Sequence, residues 1–233
     1  MAGAIRGAAR LPGRAMTTIS SSARLPVVRH AAGQTIAVPG PAPADIYLID
    51  EGWITRGIDA GERGRQVTAL LLPRDLCDPL WVSGHAYQTY RTAGNVTLRC
   101  LQPPPRGGQA TLADLAVAAA ALEARVSRWA LHLARYSAME RIGLLFCEVH
   151  ERLLRAGRAE PGQCEWLLDA DALGECTGLT RSHMARALAE LKLLGLASIR
   201  ANTLRIPDPA RLARVAGFDP SYLAPPDEAR RPY

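Results

Sequence analysis

An α+β fold is predicted, with a β-rich N-terminal half, one long central helix and a winged helix-turn-helix at the C-terminal end. Three observations predict it. Short β-prone runs separated by turn chemistry recur at roughly ten-residue spacing between His30 and Leu101. Leu115, Ala119, Leu122, Val126, Trp129, Leu133 and Tyr136 then repeat at 4-3-4-3-4-3 spacing. Last, two short helical patterns between Asp169 and Leu194 are joined by Gly178 and followed by a hairpin pattern.

Residues 1–29 carry Arg6, Arg10, Arg14, Arg24 and Arg29, and the first acid is Asp45. This stretch reads as a disordered basic tail or as a start assigned too early, with Met16 available. An organelle transit peptide is the remaining alternative. Residues 30–110 form the β-rich domain. Ile36-Ala37-Val38 is a short strand ended by Pro39-Gly40. Ile46-Tyr47-Leu48-Ile49 and Trp53-Ile54-Thr55-Arg56 are two strands with a turn at Asp50-Glu51-Gly52. A second turn at Glu62-Arg63-Gly64-Arg65 leads into the strand from Gln66 to Leu72. Pro103-Pro104-Pro105-Arg106-Gly107-Gly108 breaks the pattern and separates this domain from the long helix at 111–136.

The 4-3 repeat of that helix is the a/d seam of a coiled coil. Most neighbouring positions are alanine, so the apolar stripe is narrow, which favours a partner helix over packing on the chain's own sheet. Leu115, Ala119, Leu122, Val126, Trp129 and Leu133 are therefore the expected dimer interface. Ser137 with Glu140 three residues later is a capping box, so a new helix opens there and the hinge is expected near Arg135-Tyr136-Ser137. The domain at 137–223 begins here. Leu144, Leu145, Cys147, Val149, Leu153 and Leu154 supply the apolar face of its first helix, and Gly157 ends it. The chain after Phe218 reads as a loose end, with 224–233 as the C-terminal tail.

Within that domain Asp169 caps a helix over Ala170–Cys176, and Gly178 makes a tight turn. Thr180 caps a second helix to about Leu194, ended by Gly195. At 100° per residue, Met184, Ala187, Leu188 and Leu191 share one side of it. Arg181, Ser182, Ala185 and Arg186 share the other. An apolar back and an arginine-bearing front are what a helix entering a DNA major groove needs. Ala197–Arg200 and Thr203–Ile206, joined at Ala201-Asn202, form the wing, with Arg200 and Arg205 placed near phosphates.

The run Leu173-Gly174-Glu175-Cys176-Thr177-Gly178-Leu179-Thr180-Arg181-Ser182-His183-Met184-Ala185-Arg186-Ala187-Leu188, with Leu194-Gly195-Leu196 and Ile206-Pro207-Asp208, resembles the DNA-binding domain of the CRP/FNR family of bacterial transcription factors. Gly33–Ile36, Ile46–Gly52 and Leu71–Leu76 resemble the double-stranded β-roll, a cyclic-nucleotide-binding-like jelly roll, that precedes it in the same family. Arg135–Ile142 resembles the start of the family's DNA-binding domain. The resemblance implies a homodimer on double-stranded DNA at a near-palindromic site, with RNA polymerase as a further partner if the protein activates. It implies that Arg181 and Arg186 read guanines and that Thr180, Ser182, His183, Arg200 and Arg205 complete the contact surface. Ser182 stands where members often carry a glutamate, so that base step is expected to be read differently.

The same resemblance bears on effectors. Cyclic-nucleotide-binding members carry a Gly-Glu pair and an Arg-Ser or Arg-Thr pair. Cys77-Asp78 and Ala86-Tyr87 stand in those places, so no arginine is fixed for a cyclic phosphate. Cys77, Asp78, Tyr87 and Arg91 are the candidate effector pocket. No cysteine precedes Cys77, which leaves too few ligands for an iron–sulfur cluster, and His30 and His85 are isolated as haem ligands. Cys77 is expected to be a buried inert thiol rather than a redox sensor. No cofactor and no metal are expected.

Composition agrees with these expectations without carrying them. The formal net charge is +6, and Lys192 is the only lysine. A basic balance suits a polyanion, though charge alone is weak evidence. The five cysteines are scattered with no C-x-x-C pair, which points to reduced thiols in a cytoplasm. There is no membrane-length apolar window. No P-loop, G-x-S-x-G or H-E-x-x-H motif is present, so an enzyme is not expected. The rival reading is a small-molecule or redox sensor that acts through protein contacts, with weak or vestigial DNA binding.

Overall fold

A computed structural model describes residues 25–101 and 111–223. The Pro103–Gly108 breaker, most of the basic tail and the last ten residues lie outside them. The first half is antiparallel β. Its strands are β1 (Val27–His30), β2 (Thr35–Ala37), β3 (Gly40–Pro41), β4 (Ile46–Asp59), β5 (Arg65–Leu71), β6 (His85–Ala86) and β7 (Thr89–Leu101). The main sheet runs β1-β7-β4-β5, with β2 also on β7, and β3 pairs β6. Strand β1 takes Val27, Val28 and Arg29 out of the segment expected as a tail, because they pair with Arg99, Leu98 and Thr97.

The expected turn at Asp50-Glu51-Gly52 is not a turn between strands. Residues on both sides of it pair with the same strand, Ile49 with Leu98 and Trp53 with Ala93, so β4 is continuous and bulges there. Gly52 takes φ +76°, and a Cβ on it would sit 2.1 Å from the Asn95 carbonyl oxygen. The glycine marks a bend in a long strand where two chains close up, not a reversal.

Helix α1 (Leu112–Arg135) carries a capping box of Thr111 and Asp114, and α2 (Ala138–Arg155) carries the expected one of Ser137 and Glu140. Next come β8 (Ala159–Glu160) and β9 (Gln163–Glu165), then α3 (Ala170–Thr177) and α4 (Arg181–Leu193). Strands β10 (Ser198–Arg200) and β11 (Thr203–Arg205) and helix α5 (Pro209–Ala216) complete the order. The wing hairpin does not stand alone: the sheet is β10-β11-β9-β8. Among the described residues no helix is long and apolar enough to cross a membrane.

The two halves share one hydrophobic core. Trp53, Val67, Leu70 and Leu72 of the β-roll pack with Ile142, Phe146 and Val149 of α2 and with Trp166 and Leu173. Trp166 stands edge-on to Trp53 at 5.6 Å and to Phe146 at 4.9 Å. Polar contacts cross the same junction. Arg65, whose side chain is 3% exposed, donates to Thr55 and to the Thr89 carbonyl within the roll and to Glu175 Oε2 of α3 at 2.8 Å. Gln66 Nε2 donates to the Glu175 carbonyl at 2.7 Å. The chain bends at Tyr136-Ser137 as the capping box requires, but the halves are joined by packed surface as well as by that bend.

Helix α1 uses its 4-3 seam within the protomer. Leu115 packs with Ile46 and Leu101, Leu122 enters the β-roll core with Ile54 and Tyr90, and Trp129 joins the shared core. All three are 4–5% exposed, so they are not free for a partner helix. Ala119, Val126 and Leu133 are half-buried. In the protomer, then, the large apolar residues of the expected dimer interface face the helix's own sheet.

Residues 219–223, read as the start of a loose end, are held in place. Pro220–Leu223 forms a 3-10 turn, and Tyr222 donates to the buried carboxylate of Glu148 at 2.8 Å.

Candidate nucleic-acid interface

Four caps and turns set the helix-turn-helix. Asp169 accepts from Ala172 N–H at 2.8 Å and starts α3. Gly178, at φ +64°, ends it in the left-handed conformation that the turn requires. Thr180 Oγ1 accepts from His183 N–H and starts α4, and its hydroxyl lies 3.2 Å from that of Ser182. Gly195, also at φ +64°, lets the chain leave α4 for the wing.

Met184, Ala187 and Leu191 are 1–4% exposed and bury the back of α4 against the shared core. Thr180, Arg181, Ser182, His183 and Arg186 all lie at its first two turns, open to solvent to differing degrees. The structure brings these five together on one helix end. It does not leave them equal. Arg181 Nε and Nη2 donate to Asp171 Oδ1 on α3 at 3.2 and 2.7 Å, whereas Arg186 has no ion-pair partner among the described residues.

In the wing, Ala201 and Asn202 take φ +47° and +57°, the pair of left-handed residues that a tight hairpin needs. Arg200 is registered with Thr203 and Arg205 with Ser198, so both arginines lie on one face of the hairpin and are exposed. Leu204, on the opposite face, is fully buried.

The candidate effector residues are not brought into one pocket. Cys77 is fully buried, and burial together with the nearby Asp78 and Asp75 charges pushes its thiol well above the usual range. Asp78 caps the 3-10 turn Pro79–Ser83, accepts from Tyr90 Oη and lies 3.4 Å from Arg56 Nε. Burial and the Asp78 charge hold the Tyr90 phenol well above its ordinary value. Trp81 packs edge-on over Tyr90 at 4.9 Å and fills the space beside it. Tyr87 is 65% exposed and lies tilted against His85, while Arg91 pairs with Asp59 at 3.0 Å. The arginine beside this cluster is Arg56, and its charge is met by the chain's own Asp78. Sequence reasoning missed Arg56 because it lies on a strand where the period-2 pattern alone does not say which face is inward.

None of the five cysteines is paired, and all are buried. Burial pushes the thiols of Cys147 and Cys164 up to about 12. Burial and the Glu175 charge raise Cys176 as well. Thiolate, the form that reacts, is scarce at neutral pH for such groups.

Residues 124–215 match the model of the Crp-like helix-turn-helix domain. No curated protein matches the sequence significantly. Among solved structures the chain is similar to FixK2 from Bradyrhizobium japonicum, 21% identical over 82% of this chain and 96% of that one, with a TM-score of 0.67. It is also similar to TTHA1359, a CRP/FNR-family transcriptional regulator from Thermus thermophilus, 21% identical over 82% and 98% of the two chains, TM-score 0.62. TTHB099, a CRP-family regulator from the same organism, is 22% identical over 82% and 96%, TM-score 0.60. Residues 124–215 are thus similar to the Crp-like helix-turn-helix domain, and from its β-roll to its wing the chain has the fold seen in these solved CRP/FNR-family structures.

Proposed function

We propose that this protein is a sequence-specific DNA-binding transcription regulator that works as a homodimer on a near-palindromic site. The observation that carries the reading is the set Thr180, Arg181, Ser182, His183 and Arg186 at the solvent side of a helix start whose back is fully buried. An arginine on such a helix reaches guanine O6 and N7 in the major groove. Arg200 and Arg205 on one face of the wing supply contacts to the backbone.

The dimer seam we propose is the face of α1 that the protomer leaves open. Ala113, Val117, Ala120, Ala124, Ser127, Leu131 and Ala134 follow the same 4-3-4-3-4-3 spacing two residues earlier, on the opposite side of the helix. Ala124 is half-buried and the other six are exposed, with Val117 and Leu131 at 43% and 42%. Small residues let two helices approach closely. On a near-palindromic site the two copies of α4 would enter successive major grooves one DNA turn apart, about 34–36 Å. The filled interior around Tyr90 and Trp81 supports a roll that needs no cyclic nucleotide, and the raised thiols disfavour a cysteine-based signal.

The test is selection of bound duplexes from random DNA by the purified protein, with and without reductant. A two-fold symmetric consensus, unchanged by reductant, is the expected result; no enrichment over input would end the reading. Arg186→Ala should lower affinity for the selected site by about 1–3 kcal/mol and leave binding to scrambled DNA nearly unchanged. Equal losses on both would remove Arg186 from base reading. Arg205→Ala should weaken both and reduce the slope of log affinity against log salt by about 1. A slope equal to the unsubstituted protein's would take the wing off the phosphates.

A further inference from the structure

We propose that Asp171 is a specificity-determining positioning residue, holding one edge of the Arg181 guanidinium so that its other edge meets a guanine. The inference rests on the DNA-binding reading above and deepens it. Arg181 Nε and Nη2 both reach the same carboxylate oxygen, Asp171 Oδ1, at 3.2 and 2.7 Å. These two nitrogens form the side edge of the guanidinium. The end edge, made by Nη1 and the outer hydrogen of Nη2, is left over. Two parallel N–H groups are what guanine N7 and O6 accept. The carboxylate thus selects which edge of the arginine is offered.

Stability does not account for the pair. Both side chains are open to solvent, 79% for Arg181 and 67% for Asp171, and exposed pairs of this kind contribute little. A carboxylate on the second residue of α3, beside a helix that would enter the groove, also repels phosphate. An acid at such a place is consistent with a role in orienting its partner. A free arginine loses rotamer freedom when it docks, and one already held loses less.

The helix that carries Asp171 is anchored at two places. Helix α3 is capped by Asp169 and tied to the β-roll by the bond from Arg65 to Glu175 at 2.8 Å. Arg186 has no comparable support, so the base pair read by Arg181 is the more strictly read of the two.

The experiment compares the unsubstituted full-length protein with Asp171→Ala, Asp171→Asn, Asp171→Glu, Arg181→Ala and the Asp171→Ala/Arg181→Ala double variant. Each is titrated against the selected site, against sites with single base-pair changes, and against scrambled DNA, with melting temperature as a folding control. Asp171→Ala and Asp171→Asn should flatten discrimination at one base pair in each half-site by roughly tenfold and spare the other positions. Asp171→Glu should restore part of that discrimination. In the Arg181→Ala background, Asp171→Ala should change discrimination at no position further, whatever it does to overall affinity. Unaltered discrimination at every position overturns the proposal. So does a rise in affinity that is equal for the selected, singly changed and scrambled duplexes, since discrimination is then unchanged and Asp171 only screens charge. If the unsubstituted protein selects no site, the DNA-binding reading falls and takes this inference with it; if it selects one and Asp171→Ala leaves the profile intact, only the inference falls.

Discussion

Glu148→Ala is expected to lower the free energy of unfolding by about 3–5 kcal/mol. The midpoint of denaturant unfolding reads this directly. Glu148 lies in the middle of α2 and is 1% exposed. Its Oε2 accepts from Trp129 Nε1 of α1 at 2.8 Å and from Tyr222 Oη of the C-terminal 3-10 turn at 2.8 Å. Its Oε1 accepts from Arg152 Nη1 at 2.8 Å. Arg152 in turn donates to the Leu70 carbonyl of β5 at 2.9 Å and pairs with Asp75. One carboxylate therefore joins the long helix, the helix-turn-helix domain, the C-terminal turn and, through Arg152, the β-roll. Truncation strands an indole N–H, a phenol and part of a guanidinium where water cannot replace the lost oxygens. Asp75 still faces Arg152, which keeps the loss from exceeding the range.

Two milder variants apportion the effect. Tyr222→Phe removes one neutral donor and should cost about 1 kcal/mol. Glu148→Gln keeps an amide oxygen for the indole and the phenol but turns an NH2 toward Arg152, so it should fall between the other two. A loss under about 1 kcal/mol for Glu148→Ala would mean that the cluster relaxes around a water or a shifted side chain. The consequence for the proposed function is geometric. The angle between α1 and α2 fixes where α4 points relative to the dimer dyad, and this carboxylate is the polar contact that both helices share.

The helix-turn-helix was legible in the sequence because its signals are local. Asp169, Gly178, Thr180 and Gly195 each act on the next one to four residues, and the structure uses every one as a cap or a turn. The wing turn at Ala201-Asn202 is local in the same way. The β-roll was less legible at Asp50-Glu51-Gly52, because a bulge and a hairpin use the same residue types. What separates them is the distant strand β7, which pairs on both sides of the bulge. Glu148 and Arg152 stand at i and i+4 on α2, a spacing that usually marks a solvated pair. Only the arrival of Trp129, Asp75 and Tyr222 from three other segments makes that pair buried. Asp171 was hidden for a similar reason: ten residues separate it from Arg181, and the turn between them sets their distance.

The seam of α1 shows the same limit with a functional consequence, and it yields the other large effect. Val117→Glu combined with Leu131→Glu is expected to turn a dimer into a monomer and to lower affinity for a two-half-site duplex by about 10²–10⁴-fold. Both side chains are exposed in the protomer, so its own melting should hardly move. Across a dyad the added charges face their own copies at close range, and the linkage between half-sites is lost. Leu122→Ala should do the reverse. Leu122 is 4% exposed among Ile54, Leu98 and Tyr90, so truncation should cost about 2–5 kcal/mol of protomer stability and leave the folded protein dimeric. A 4-3 repeat says that a helix has an apolar stripe; it does not say whether a sheet or a second helix covers it. On α1 two stripes share that spacing, and the larger residues lie on the one facing the sheet. Sedimentation of the two variants separates the seams: a folded Leu122→Ala monomer beside an intact Val117→Glu/Leu131→Glu dimer would return the interface to Leu115, Leu122 and Trp129 and require α1 to leave its own β-roll on pairing.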